Sequence, residues 1–99
     1  MTPEPAVLIN AFEVPAGADE AFLQARERAR AFLATQEGYL STRLHRSLSP
    51  TADFRFVNIA VWRSPQDFQA AISRPGFIDA PVPFPAHPSL YEVVREEQR

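Results

Sequence analysis

Two hydrogen-bonding side chains, Asn58 and Trp62, stand four residues apart in the run FRFVNIAVW at residues 54–62. With the period of two that a β-strand imposes, Phe54, Phe56, Asn58, Ala60 and Trp62 share one face, while Val57, Ile59 and Val61 share the other. Only Arg55 interrupts the second face. A strand that is apolar on both sides needs cover on both sides, and an amide and an indole N–H buried in it need partners. Either they satisfy each other and the backbone, or they point into a cavity where a ligand or water completes them. Asn10 repeats the oddity in residues 6–14, where Leu8, Asn10, Phe12 and Val14 share a face opposite Val7, Ile9, Ala11 and Glu13.

Other chemistry is restricted by what the chain contains. There is no cysteine, which removes disulfides, thiol nucleophiles and thiolate metal sites together. His45 and His87 are far apart in sequence and have no thiol near them, so they make no metal motif. A net charge of −2 argues against a nucleic-acid groove, which needs a concentrated basic face. Arg26, Arg28 and Arg30 are offset by Glu20, Glu27 and Glu37 and read as a solvated helix face. Arg43 and Arg46 read as surface charge, with contact to an acidic substrate group as the alternative. No apolar run approaches the roughly 18 residues of a membrane span, and the N-terminus lacks a signal-peptide pattern, so the expected location is cytoplasmic.

The elements that position these residues follow from punctuation and periodicity. The 99 residues suit one domain, 1–99. Residues 6–14 form a strand that Pro15 and Gly17 break. Residues 18–36 carry Phe22, Ala25, Ala29, Phe32 and Leu33 at helical spacing and end before Gly38. Residues 39–48 alternate again, with Leu40, Thr42, Leu44, Arg46 and Leu48 opposed to Tyr39, Ser41, Arg43, His45 and Ser47. A short connection at 49–53 makes a hairpin into 54–62. Ser64, Pro65 and Asp67 are a helix start, and Arg74-Pro75-Gly76 ends that helix. Residues 75–88 hold five of the ten prolines and read as an ordered cover with Phe77 and Phe84 inserted. Residues 89–95 form the last strand. The order βαββαβ is the α+β ferredoxin-like arrangement, an antiparallel sheet with both helices on one face. That leaves the other face, including Val7, Ile9, Val57, Ile59 and Val61, without cover. A homodimer packed sheet against sheet is therefore expected.

The segments Val7-Leu8-Ile9-Asn10, Gln36-Glu37-Gly38-Tyr39 and Phe56 to Trp62, with Phe68 and Pro75-Gly76-Phe77 behind them, resemble the antibiotic biosynthesis monooxygenase domain over nearly the whole chain. The resemblance implies a dimeric α+β barrel with a pocket between sheet and helices in each subunit. Within that family the sequence is most similar to the cofactor-independent anthrone oxygenases of aromatic polyketide pathways. Those enzymes use an asparagine on the first strand and an asparagine and a tryptophan four apart on the third. The resemblance thus implies catalytic roles for Asn10, Asn58 and Trp62, no cofactor, and O2 with a small aromatic compound as substrates. Its haem-degrading branch uses a tryptophan and a histidine whose positions are Ala71 and Pro81 here.

That chemistry is physically coherent. An anthrone loses a proton to give an extended phenolate-like anion, which can pass one electron to triplet oxygen without a metal or flavin. Asn58 and Trp62 are donors suited to such an anion, and Asn10 could orient the substrate or help accept its proton. Phe54, Phe56, Phe77 and Phe84 are expected to wall the pocket, with His87 at its mouth. A haem-binding protein of the same fold and a non-catalytic small-molecule-binding dimer are the alternatives.

Overall fold

A computed structural model describes residues 5–99. Its elements are β1 (Ala6–Phe12), α1 (Asp19–Leu33), β2 (Tyr39–Arg46), β3 (Phe56–Trp62), α2 (Pro65–Ile72), the single-turn α3 (Pro75–Ile78) and β4 (Ala86–Tyr91). All strand pairs are antiparallel, and the sheet order is β2-β3-β1-β4. This is the ferredoxin-like α+β fold expected from the sequence. The hydrophobic pairs Leu8–Ala60 and Phe12–Phe56 put the even residues of β1 and β3 on one face, under the helices.

Two buried clusters lie on that face. One joins Ala6, Leu8, Ala60 and Trp62 to Phe68 and Ala71 of α2. The other joins Phe12, Val14 and Phe56 to Phe22 of α1, where the Phe22 and Phe56 rings stack at 4.5 Å. Between the clusters the asparagines interrupt the packing.

Two local devices fix the helices over the sheet. Ser64 caps α2 by accepting from the Asp67 N–H at 3.2 Å, with Pro65 at the first helical position. Asp19, in the first turn of α1, receives Nε and Nη2 of Arg55 at 2.6 and 2.8 Å, which ties that helix to the entry of β3. Gly38 adopts a φ of +87° between α1 and β2. A side chain there would also strike Asp67.

The strand boundaries differ from expectation at the C-terminal end. Residues 86–88, read as part of the cover, belong to β4, and the chain beyond Tyr91 is not strand. Pro88 is tolerated because β4 is an edge, where the missing N–H breaks no ladder on the outer side. The expected strand ends at Val14, Leu48 and Phe54 also fall outside the ladders, and α1 stops at Leu33 rather than 36.

Candidate active site

All seven elements and the 79–85 segment contribute to a cavity of about 430 Å³ on the helix face of the sheet. Leu8, Asn10, Asn58, Ala60 and Trp62 form its floor, α1 supplies Arg26, Ala29 and Leu33, and Phe68, Ile72, Phe77 and Val82 close it from above. The walls are predominantly aliphatic and aromatic. Among the described residues no aspartate, glutamate or histidine lines it.

Its polar centre is a three-residue network. Nη2 of Arg26 donates to Thr42 Oγ1 and to Asn58 Oδ1, both at 3.0 Å, and Thr42 Oγ1 donates to Asn58 Oδ1 at 2.9 Å. A guanidinium has no acceptor, so the atom of Asn58 that faces it is the amide oxygen. With Oδ1 taken twice, the Nδ2 amino group is the end without a protein partner among the described residues, and it is available to a guest. Hydrogen bonds from a charged donor are worth ~1.5–3 kcal/mol, enough to hold the amide in one orientation. Burial pulls the Arg26 pKa below its ordinary value. Asn10 stands opposite Asn58 in the β1–β3 register, and its Oδ1 accepts from the His87 backbone N–H at 3.1 Å.

A second polar pair sits within the wall. Trp62 is fully buried, and neither its Nε1 nor the Tyr39 hydroxyl has a hydrogen-bond partner among the described residues. The two rings meet edge-on at 5.3 Å. An unmade buried hydrogen bond costs ~1–3 kcal/mol, so two neighbouring orphans at a cavity are a feature that folding alone does not favour.

The expected site residues divide evenly. Asn10, Asn58, Trp62 and Phe77 line the cavity. Phe54, Phe56, Phe84 and His87 do not. Phe54 precedes the first paired residue of β3, escapes strand alternation and lies 44% exposed, with its ring 5.2 Å from that of His87. Phe56 and Phe84 are spent on the cluster around Phe22. His87 sits between Ala86 and Pro88, which face the cavity, so it points to the opposite side of the sheet and meets Glu13 Oε2 at 2.8 Å.

Three site residues escaped the sequence reading. Arg26 was grouped with a solvated face, yet it lies four residues after Phe22 and three before Ala29, on the apolar stripe itself. That spacing was the available signal. Thr42 shares its strand face with Leu44, but nothing in its type announces a role. Tyr39 was placed on the wrong face because a bulge at Leu40 lets Tyr39 pair with Trp62 while Ser41 pairs with Val61.

A profile of the antibiotic biosynthesis monooxygenase family matches residues 5–80. The chain belongs to the antibiotic biosynthesis monooxygenase family. By class it is therefore an oxygenase. No curated protein matches it. Among solved structures, a candidate monooxygenase from Shewanella loihica PV-4 is 39% identical with a TM-score of 0.85, over 94% of this chain and 97% of that one. SnoaB, a cofactor-independent oxygenase from Streptomyces nogalater, is 29% identical with a TM-score of 0.80, over 94% and 96%. MhuD, a haem degrader from Mycobacterium tuberculosis whose active site holds two haems in its structure, is 31% identical with a TM-score of 0.71, over 94% and 99%.

The haem relative raises a test of the donor set. Among the described residues the cavity of this family member offers neither histidine, cysteine nor methionine as an axial ligand, and Tyr39 is the one side chain of a ligating type in the described lining. Its hydroxyl is covered by the wall. The residues therefore do not fit a histidine-ligated haem.

Proposed function

We propose that this family member is a cofactor-independent monooxygenase that oxidises a flat, anthrone- or quinol-like compound with O2, working as a homodimer joined through its sheet faces. The observation that carries the reading is Asn58, locked by Arg26 and Thr42 at the floor of an apolar cavity with its amino group unpartnered. SnoaB, which shares the fold, supports the reaction class.

The chemistry begins with loss of a proton from the substrate's activated carbon. Since the lining formed by the described residues holds no carboxylate or imidazole, the proton leaves to water, and the protein's task is to make the anion stable. Asn58 Nδ2 donates to the oxygen on which that charge rests, and Asn10 orients the same edge of the ring system. The anion passes one electron to O2. The resulting carbon radical and superoxide recombine to a C–O bond, and the protonated hydroperoxide loses water to leave a carbonyl. One CH2 and one O2 thus become one C=O and one H2O. The dry walls of Leu33, Phe68, Ile72 and Phe77 strengthen each donor's effect. Trp62 and Tyr39 add donors when a guest parts the wall that covers them.

Oxygen-electrode turnover of an anthrone by metal-free protein tests the reading. Uptake of O2 with formation of the anthraquinone is expected, falling about 10²–10³-fold in Asn58→Ala, the usual effect of removing one preorganised donor. Equal rates in the two proteins would remove the assignment. Addition of haem, read by its Soret band, addresses the relative's chemistry in the same preparation.

A further inference from the structure

Two arginines of α1 border the cavity, and their charges are treated differently. Arg30 is met by Glu27, with Nε and Nη2 at 2.8 and 2.6 Å from its carboxylate. Arg26 is held only by neutral groups, Thr42 and Asn58, and only through Nη2. Among the described residues no carboxylate lies within ion-pairing distance of it. Its Nε and Nη1 make no hydrogen bond there either. The chain thus maintains a half-buried cation without an ion pair at the edge of an apolar space.

Resting on the reading above, we propose that Arg26 makes the cavity selective for the ionised form of its guest. The substrate class is then a planar aromatic bearing an acidic hydroxyl or enol, bound as phenolate or enolate with its charged oxygen toward Arg26 and Asn58. The cost of carrying a desolvated guanidinium is what depresses the Arg26 pKa, and an incoming anion offsets that cost. A neutral guest leaves it in place. The same preference explains how a cavity without a base promotes proton loss: it binds the conjugate base better than the acid. The ionisable groups around Arg26 are Glu27 and Arg30 on its own helix and Tyr39 on β2. Glu27 is already engaged by Arg30, so the field at the cavity stays positive.

The test uses a monohydroxyanthraquinone, whose phenolate absorbs at longer wavelength than its phenol, beside unsubstituted anthraquinone as a neutral probe. Bound to the wild-type protein, the dye is expected to ionise about one pH unit below the free dye, which is about a tenfold preference for the anion. Arg26→Met and Arg26→Gln are expected to return its ionisation to the free value, whatever they do to absolute affinity. Arg26→Lys is expected to keep part of the shift. A dye that ionises at its free value in the wild type overturns the proposal, as does a shift that survives in both Met and Gln variants. Either result leaves the functional reading standing if the neutral quinone binds. Failure of both quinones to bind the wild type removes the functional reading, and this inference with it.

Discussion

Tyr39 separates a structural role from a binding role at a single atom. Its hydroxyl is buried without a well-formed hydrogen bond and lies beside the Arg30 guanidinium, so Tyr39→Phe removes a desolvated group at the loss of only a weak electrostatic contact. The variant is expected to be as stable as the wild type or more so, by up to ~1 kcal/mol in chemical denaturation. If the wall opens to a guest, the same variant binds the anthraquinone more weakly. Thr42→Val probes the clamp rather than the donor. It leaves Asn58 with Arg26 alone, and anthrone turnover is expected to fall about tenfold, less than in Asn58→Ala, because Thr42 gives up its hydrogen bond to Asn58 and the one it accepts from Arg26 while the donor remains. The asparagines were legible in the sequence because an amide between Val57 and Ile59 breaks a pattern. Arg26 was half legible from its place on the apolar stripe. The aromatic walls were misread because residue type says that a phenylalanine is buried but not in which cluster.

Apart from the single-turn α3, which lies in the stretch read as cover, the elements were legible in order and type, because each start and stop has a local cause: the cap at Ser64, the acids opening α1, the left-handed Gly38. What escaped was parity, since one bulge reverses the face of everything before it. Ser64→Ala is expected to cost about 1 kcal/mol by loosening the first turn of α2, and with it the Phe68 wall. The tie between α1 and β3 carries a pH dependence. Arg55, bonded to both oxygens of Asp19, holds that carboxyl below its ordinary value of 3.8. A lowered folded-state pKa means the contribution is complete above 3.8 and disappears as pH falls through the folded value. Asp19→Asn is therefore expected to lower the Tm at neutral pH, with the difference from wild type closing in strong acid. A difference constant with pH would show that the carboxylate's charge is not what joins the two elements.

The whole molecule is a slab. Its extents are 47 × 40 × 19 Å, and the short axis has room for one sheet and one layer of helices. Its radius of gyration of 14.2 Å exceeds the ~13 Å of a compact domain this long. Both buried clusters lie on the helix face, and no helix covers Val7, Ile9, Val57, Ile59 and Val61, which stay half-buried. Arg43, His45 and His87 stand exposed on the same side, so the apolar centre has a polar border of the kind interfaces show. On the proposed sheet-to-sheet dimer, sedimentation gives twice the chain mass of 11.1 kDa. Ile59→Arg puts a charge at the centre of that face in both copies at once. Each loses the burial of a large aliphatic side chain, ~1.5–3 kcal/mol, so the dimer dissociation constant is expected to rise at least about a hundredfold while the cavity on the far face keeps its lining. A wild type that sediments as a monomer at every concentration would leave the open face without an occupant and refute the pairing.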